Sequence, residues 1–271
     1  GQTTGGRAYY RYSTAEDSHI GRGEGTVMLG EKAVVYAGLT YKDFGELETG
    51  GGDNPKTGYD EIAFDAKTEI ELSPSLRLSV AHQTVDQDDA WRVHKTIFGR
   101  SFRGTSVGSE KQRILDQNRH LTYARLEADN GPEWAQDLSF TLSHHRQEEE
   151  QDRIKKDDQR DVQGFDVDTI GAAVQAGTAA NSGYWVYGLE YYHDIVDSFR
   201  NKFNPDGSFK SASIQGPVAD DATYDNLGVY VQDTIEVSEE VQLILGGRYN
   251  YLAADADTFE DPESGEEASL S

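Results

Sequence analysis

The sequence predicts an all-β protein: an antiparallel sheet curved like the wall of a transmembrane β-barrel. Three observations predict it. Apolar-alternating segments are joined by connections that are by turns short and long, their side chains alternate greasy and wet with a period of two, and aromatic pairs sit near their ends. Tight connections fall at Gly30-Glu31, Ser73-Pro74-Ser75, Asn130-Gly131-Pro132, Asn181-Ser182-Gly183 and Ser238-Glu239-Glu240, and long polar stretches at 44–58, 86–118, 148–161 and 197–222. If consecutive strands pair antiparallel, every short turn lands on one rim and every long loop on the other, as in barrels of the outer-membrane type.

In chain order, strands are expected near 6–15, 21–29, 33–43, 60–71, 76–86, 119–129, 135–147, 162–176, 184–196, 224–236 and 241–252. In the fourth, Ile62, Phe64, Ala66, Thr68 and Ile70 form an apolar or neutral face, and Asp65, Lys67, Glu69 and Glu71 a charged one. Leu76, Leu78 and Val80 alternate with Arg77, Ser79 and Gln83; Leu138, Phe140 and Leu142 with Ser139, Thr141 and Ser143; and Val241, Leu243 and Leu245 with Gln242, Arg248 and Asn250. Successive side chains point to opposite faces, so Phe64, Ile70, Leu76, Leu78, Leu138, Phe140, Leu142, Leu243 and Leu245 are expected to meet lipid. Lys67, Glu69, Arg77, Gln242 and Arg248 are expected to face water on the other side. A soluble β-sandwich would alternate in the same way, so alternation alone leaves both architectures open.

Composition helps to decide between them. Hydrophobic residues are 36%, charged residues 27% and mean hydropathy is -0.71, and no apolar run approaches the roughly 20 residues of a membrane helix. A barrel evades such measures because only every second strand residue meets lipid. Tyr 15, Phe 10 and Trp 3 include the pairs Tyr9-Tyr10, Tyr184-Trp185 and Tyr191-Tyr192, whose amphipathic rings suit a headgroup zone. A net charge of -24 argues against nucleic acid, and the lack of cysteine excludes disulfides and thiolate metal sites. Acidic clusters (Asp86, Asp88, Asp89; Glu148, Glu149, Glu150; Asp255, Asp257, Glu260, Asp261, Glu263, Glu266, Glu267) are placed in outer loops, where solvated carboxylates are ordinary. None has the spacing of a calcium loop, so the metal question stays open, and no cofactor is expected.

The longest insertion, 86–118, carries stacking groups (Trp91, Phe98, Phe102) and cations (Arg92, Lys95, Arg100) beside His94. An insertion of that length is usually functional or disordered, which makes Trp91, Arg92, His94, Lys95 and Arg100 the candidate ligand contacts. His94 offers an axial ligand for haem iron, although a lone loop histidine is more often simply solvated. His144-His145 cannot serve one site on a strand, because neighbours face opposite sides. No Gly-x-Ser-x-Gly or paired metal motif is present, and no catalytic residue is assigned.

Four stretches carry a family resemblance: Ala37 to Leu47; Leu76 to Arg92; Tyr187-Gly188-Leu189-Glu190-Tyr191-Tyr192-His193-Asp194; and Asn226 to Tyr251. In the last, Gly228-Val229-Tyr230-Val231-Gln232-Asp233 is followed by a tight turn and Leu243-Ile244-Leu245-Gly246-Gly247-Arg248-Tyr249. This resembles the TonB-dependent outer-membrane receptors, in which one strand ends Y-x-Q-D and the next G-G-R-Y.

The resemblance implies a Gram-negative outer-membrane receptor that takes up a scarce nutrient, a ferric siderophore or haem, by active transport and without covalent chemistry. It implies membrane lipid, an iron chelate or haem, and the TonB energy-coupling complex as partners, the last through a plug domain not recognisable here. Complete members have 22 strands, so residues 1–271 are expected to form part of a barrel domain: an incomplete barrel, a curved open sheet of about 10–11 strands. Gly1-Gln2-Thr3-Thr4 lacks the features of a signal peptide and the chain ends in an acidic stretch, which fits an internal piece of a longer protein. Two other classes stay in view: a surface β-sandwich used for adhesion, and an outer-membrane barrel enzyme.

Overall fold

The computed structural model describes residues 4–101, 103–104 and 106–270. The strands are β1 (Gly5–Ser13), β2 (Ser18–Leu29), β3 (Ala33–Phe44), β4 (Leu47–Thr49), β5 (Gly52–Asn54), β6 (Tyr59–Ser73), β7 (Leu76–Trp91), β8 (Gln112–Asp129), β9 (Asp137–Ile154), β10 (Arg160–Ala180), β11 (Gly183–Phe203), β12 (Phe209–Ala212), β13 (Asp220–Ser238), β14 (Val241–Glu260) and β15 (Glu267–Leu270). Thirteen of them make one antiparallel sheet that follows chain order from β1 to β15, with β12 attached to β11, while β4 and β5 form a separate hairpin. Among the described residues β1 does not pair with β14 or β15, so the sheet is an open trough. One continuous sheet also rules out the sandwich, which needs two facing ones.

Most connections sort by rim. On one rim the turns are short, as at 30–32, 74–75, 181–182 and 239–240, and Gly30 with φ of 71° supplies the left-handed residue that the first requires. On the other rim lie 45–58, 92–111, 204–219 and 261–266.

Register fixes the two faces, because residues opposite each other in a ladder share a side. Phe64 lies opposite Leu39, Leu78 opposite Ile70 and Leu126, Leu142 opposite Ala124 and Ala172, and Leu245 opposite Asp233 near the short-turn rim. That face is greasy and open: Phe64, Phe140, Leu142, Val174, Leu189, Val229, Leu243 and Leu245 are all exposed. The other face holds Lys67, Glu69, Arg77, Gln242 and Arg248, and it is the concave one. A hollow of about 440 Å³ is lined wholly by it, with Lys67, Ser79, Tyr123, Arg125, Thr141 and Ser143 among its walls. Side chains converge there strongly enough for Tyr230 on β13 to donate to Gln175 on β10, across the intervening β11, at 2.8 Å.

The strands outrun the expected ones at the long-loop rim. β9 continues to Ile154, β10 begins at Arg160, β11 reaches Phe203 and β14 reaches Glu260. The stretch 86–118 therefore contributes its first six residues to β7 and its last seven to β8, leaving a loop of 92–111. Glu148, Glu149 and Glu150, with Asp86, Asp88, Asp89, Asp255, Asp257 and Glu260, stand in strands rather than loops. A strand needs only about 9–11 residues to cross a bilayer, whereas β9 has 18 and β10 has 21. Beyond the bilayer both faces are wet, so the greasy alternation that announces a strand disappears while its hydrogen bonds continue. Two short connections on this rim, 14–17 and 155–159, and the small strands β4, β5, β12 and β15 likewise carried no readable pattern.

Candidate functional site

The inner wall is built from a device used twice. Arg22 on β2 crosses Gly38 on β3 and donates from Nη2 to Asp65 on β6 at 2.9 Å, while its Nε bonds Glu24 two residues along at 2.8 Å. Arg248 on β14 crosses Gly228 on β13, reaches Glu190 on β11 at 2.8 Å, and bonds Asn250 two residues along at 2.8 Å. A Cβ on either glycine would collide with the guanidinium lying over it. Each glycine therefore admits an arginine that ties three strands together. This gives the Gly-Gly-Arg-Tyr segment a physical reading: Arg248 faces the wet side, and the close approach belongs to Gly228, since Gly247 meets nothing within 4 Å.

At the long-loop rim, the described part of loop 92–111 is ordered from within. Val93–Lys95 form a 3-10 turn, and buried Thr96 bonds back to the Val93 carbonyl through both its N–H and its hydroxyl, each at 2.9 Å. Ile97 donates to Glu110 at 2.9 Å, and Glu110 to Lys95 at 3.1 Å. Trp91 packs edge-on against Phe98 with centroids 5.7 Å apart, and Lys56 from the neighbouring loop sits 4.9 Å from the Trp91 ring centre. Arg100 donates to the carbonyls of Gly51, at 2.5 Å, and Asp53, so it fastens this loop to the β4–β5 hairpin. Its guanidinium is thus engaged by backbone and is a tether. Arg92, His94 and Lys95 are exposed, whereas Phe102 lies outside the described residues.

Just inside the same rim, sequence reasoning missed a buried ion cluster. Asp161, 1% exposed, accepts from Arg153 Nε at 2.7 Å and Nη2 at 2.5 Å and from Arg200 Nη2 at 2.7 Å, with Lys155 Nζ at 3.6 Å. Glu110 stands 3.1 Å from Arg113 Nε and 3.6 Å from Arg153 Nη1. Burial opposes the charged carboxylate of Asp161, but Arg153 and Arg200 prevail and hold it well below the usual carboxylate range. Arg113 is pulled the other way: burial first, then the charges of Arg153 and Arg92, outweigh Glu110 and lower its pKa. The legible signal was the dipeptide pair Asp152-Arg153 and Arg160-Asp161, charge-complementary across a five-residue turn. Among the described residues, no group of three or more His, Asp or Glu side chains is disposed to hold a metal ion.

An antiparallel sheet with a greasy convex face and a wet concave one is the wall of a transmembrane β-barrel. The family described as TonB dependent receptor-like, beta-barrel matches residues 58–268, and the chain belongs to that family. Its shape is similar to that of the copper transporter OprC (12% identity, TM-score 0.75, 98% of this chain and 40% of that one). It is also similar to BauA, the ferric preacinetobactin receptor from Acinetobacter baumannii (15%, 0.66, 97% and 43%), and to FyuA, the ferric yersiniabactin uptake receptor from Yersinia pestis (12%, 0.56, 93% and 43%). The chain thus spans less than half the length of these proteins. No curated protein sequence matches it. The family and these neighbours are receptors and transporters rather than enzymes, and they are Gram-negative outer-membrane proteins. The short-turn rim therefore faces the periplasm and the long-loop rim the outside.

Proposed function

We propose that this chain is part of the barrel of a receptor that takes up a chelated metal, a ferric siderophore before haem, by transport coupled through a plug region to the TonB energy-coupling complex. One observation carries the choice of cargo: above a wet inner wall, the outer rim presents stacking and cationic groups together, with Trp91, Phe98 and Lys56 beside exposed Arg92 and Lys95. Flat, oxygen-rich chelates are held by such a mixture of aromatic faces and charged donors. Exposed His94, on the 3-10 turn, is the residue that keeps haem as the second reading.

The test is uptake of radiolabelled iron by cells lacking the gene and complemented with the intact receptor, fed ferric siderophores, haem or free ferric salt. Accumulation of one chelate that requires both the receptor and the proton-motive force supports the reading. Equal accumulation with and without the receptor, for every chelate, overturns it.

A further inference from the structure

β9, β10 and β11 run on past the bilayer, so the convex face of the sheet continues upward as a wet outer wall. Register marks where lipid ends on it. Above Leu142 and Ile170 the same face carries Arg146, which bonds Asp168 directly opposite it, Asp166 at 3.1 Å and Glu148 at 2.9 Å. Charged groups facing hydrocarbon are costly, so the acyl chains stop below this row. Beyond it an outward side chain gains nothing from lipid, yet the outward positions of β11 there read Asp197, Phe199, Asn201 and Phe203.

The two rings are set as platforms. Phe199 lies opposite Gly164, and a Cβ on that glycine would meet the ring at 2.9 Å, so the ring rests on bare backbone and turns its other side outward, 40% of the residue being exposed. Four positions on, ~13 Å along the strand, Phe203 lies opposite Arg160, whose guanidinium carbon is 5.6 Å from the ring centre. Phe203 also packs edge-on against Phe209, itself 61% exposed, with centroids 6.0 Å apart. Polar groups stand beside the rings: Arg160 forks onto Asp152 at 2.8 Å and 2.9 Å, and among the described residues the side chains of Asn201 and Asp197 bond no other group. Above Leu142, the outer face of these three strands carries six carboxylates against Arg146 and Arg160.

We propose that Phe199, Phe203 and the polar groups between them form a docking surface for the uncharged sugars of a glycolipid in the outer leaflet. The C–H faces of a sugar ring carry slight positive charge and lie against the negative face of an aromatic ring, while the sugar hydroxyls bond the amides and carboxylates alongside. The acidic surroundings repel headgroups that bear phosphate or carboxylate and admit neutral ones. Position selects the source. The surface continues the lipid-facing wall, so what stands against it is anchored in the bilayer, whereas cargo entering the barrel meets the opposite face.

The experiment titrates the intact receptor in detergent with three lipids and reads bound lipid by native mass spectrometry: lactosylceramide, a neutral glycolipid; sulfatide, an anionic one; and phosphatidylcholine, which has no sugar. Lactosylceramide should bind about tenfold or more tighter than either of the others. The double variant Phe199→Leu with Phe203→Leu keeps apolar bulk without a ring face and should lose about tenfold for lactosylceramide, whereas Phe199→Tyr with Phe203→Tyr keeps the rings and should stay within about twofold. Heat-dependent mobility on gels confirms that each variant is assembled. Equal binding of the three lipids, tighter binding of sulfatide, or an affinity unchanged in the assembled leucine variant overturns the proposal. Free lactose that binds as tightly as lactosylceramide overturns the membrane source.

Discussion

Arg153 and Asp161 face each other directly across the β9–β10 ladder and join through two parallel hydrogen bonds, 2.7 Å and 2.5 Å long, on the inner wall. One residue away on each strand, Arg160 and Asp152 form the same two-bond pair at 2.8 Å and 2.9 Å on the outer face. The paired groups are the same and the surroundings differ: Asp161, which also accepts from Arg200, is 1% exposed, and Asp152 25%. Removing one member of a buried pair leaves a charge without compensation and costs about 3–5 kcal/mol, whereas an exposed pair contributes about 0–1 kcal/mol. Asp161→Asn should loosen the β9–β10 hairpin markedly, and Asp152→Asn should do little. Hydrogen exchange of the hairpin amides in detergent-solubilised receptor measures both, and equal effects would refute the distinction.

The same residue sets a pH dependence. Its pKa is lowered by folding, so its stabilisation is complete above the unfolded value of about 3.9 and disappears as pH falls below that toward the folded value. Protection of the hairpin amides should be constant at neutral pH and decline below about pH 4. In Asp161→Asn this decline should be absent.

Phe140 and Thr141 are sequence neighbours on opposite faces of β9, with Phe140 41% exposed on the convex side. An arginine facing mid-bilayer costs about 2–4 kcal/mol, and one facing the lumen costs little. Phe140→Arg should therefore reduce the yield of assembled intact receptor far more than Thr141→Arg. Heat-dependent mobility on gels reports that yield, and equal yields would reverse the assignment of the faces.

Gly228→Val should drive the Arg248 guanidinium from Glu190 and cost about 1 kcal/mol, the usual size of a half-exposed charged contact. Gly247→Ala adds a methyl group where nothing lies within 4 Å, and should stay within about 0.5 kcal/mol of the parent. Thermal unfolding of the two variants in one detergent compares them. A larger loss at Gly247 would contradict the three-strand tie.

Arg100→Ala removes the tether between loop 92–111 and the β4–β5 hairpin. Limited proteolysis should then cut both loops faster while the barrel stays assembled. Unchanged cleavage would mean that the Trp91–Phe98–Lys56 contact suffices to hold them.

The sequence by itself determined the sheet: eleven long strands, their order, the two faces and the rim that carries the five tight turns it marks. A period of two over a lipid-facing belt leaves no other register, since a slip of one residue would turn Phe140 inward and Thr141 outward. Sequence also marked Trp91, Arg92, His94, Lys95 and Arg100 as outer-rim residues. Only the tertiary structure decided what Arg100 does there, engaging it with backbone, and it gathered Glu110, Arg113, Arg153, Asp161 and Arg200 into one ion cluster. That cluster draws on residues up to 90 positions apart, from Glu110 to Arg200, at strand ends where water on both faces erases the alternating pattern. Pairing of the four neighbouring strands β8 to β11 brings them together, and no local pattern encodes that.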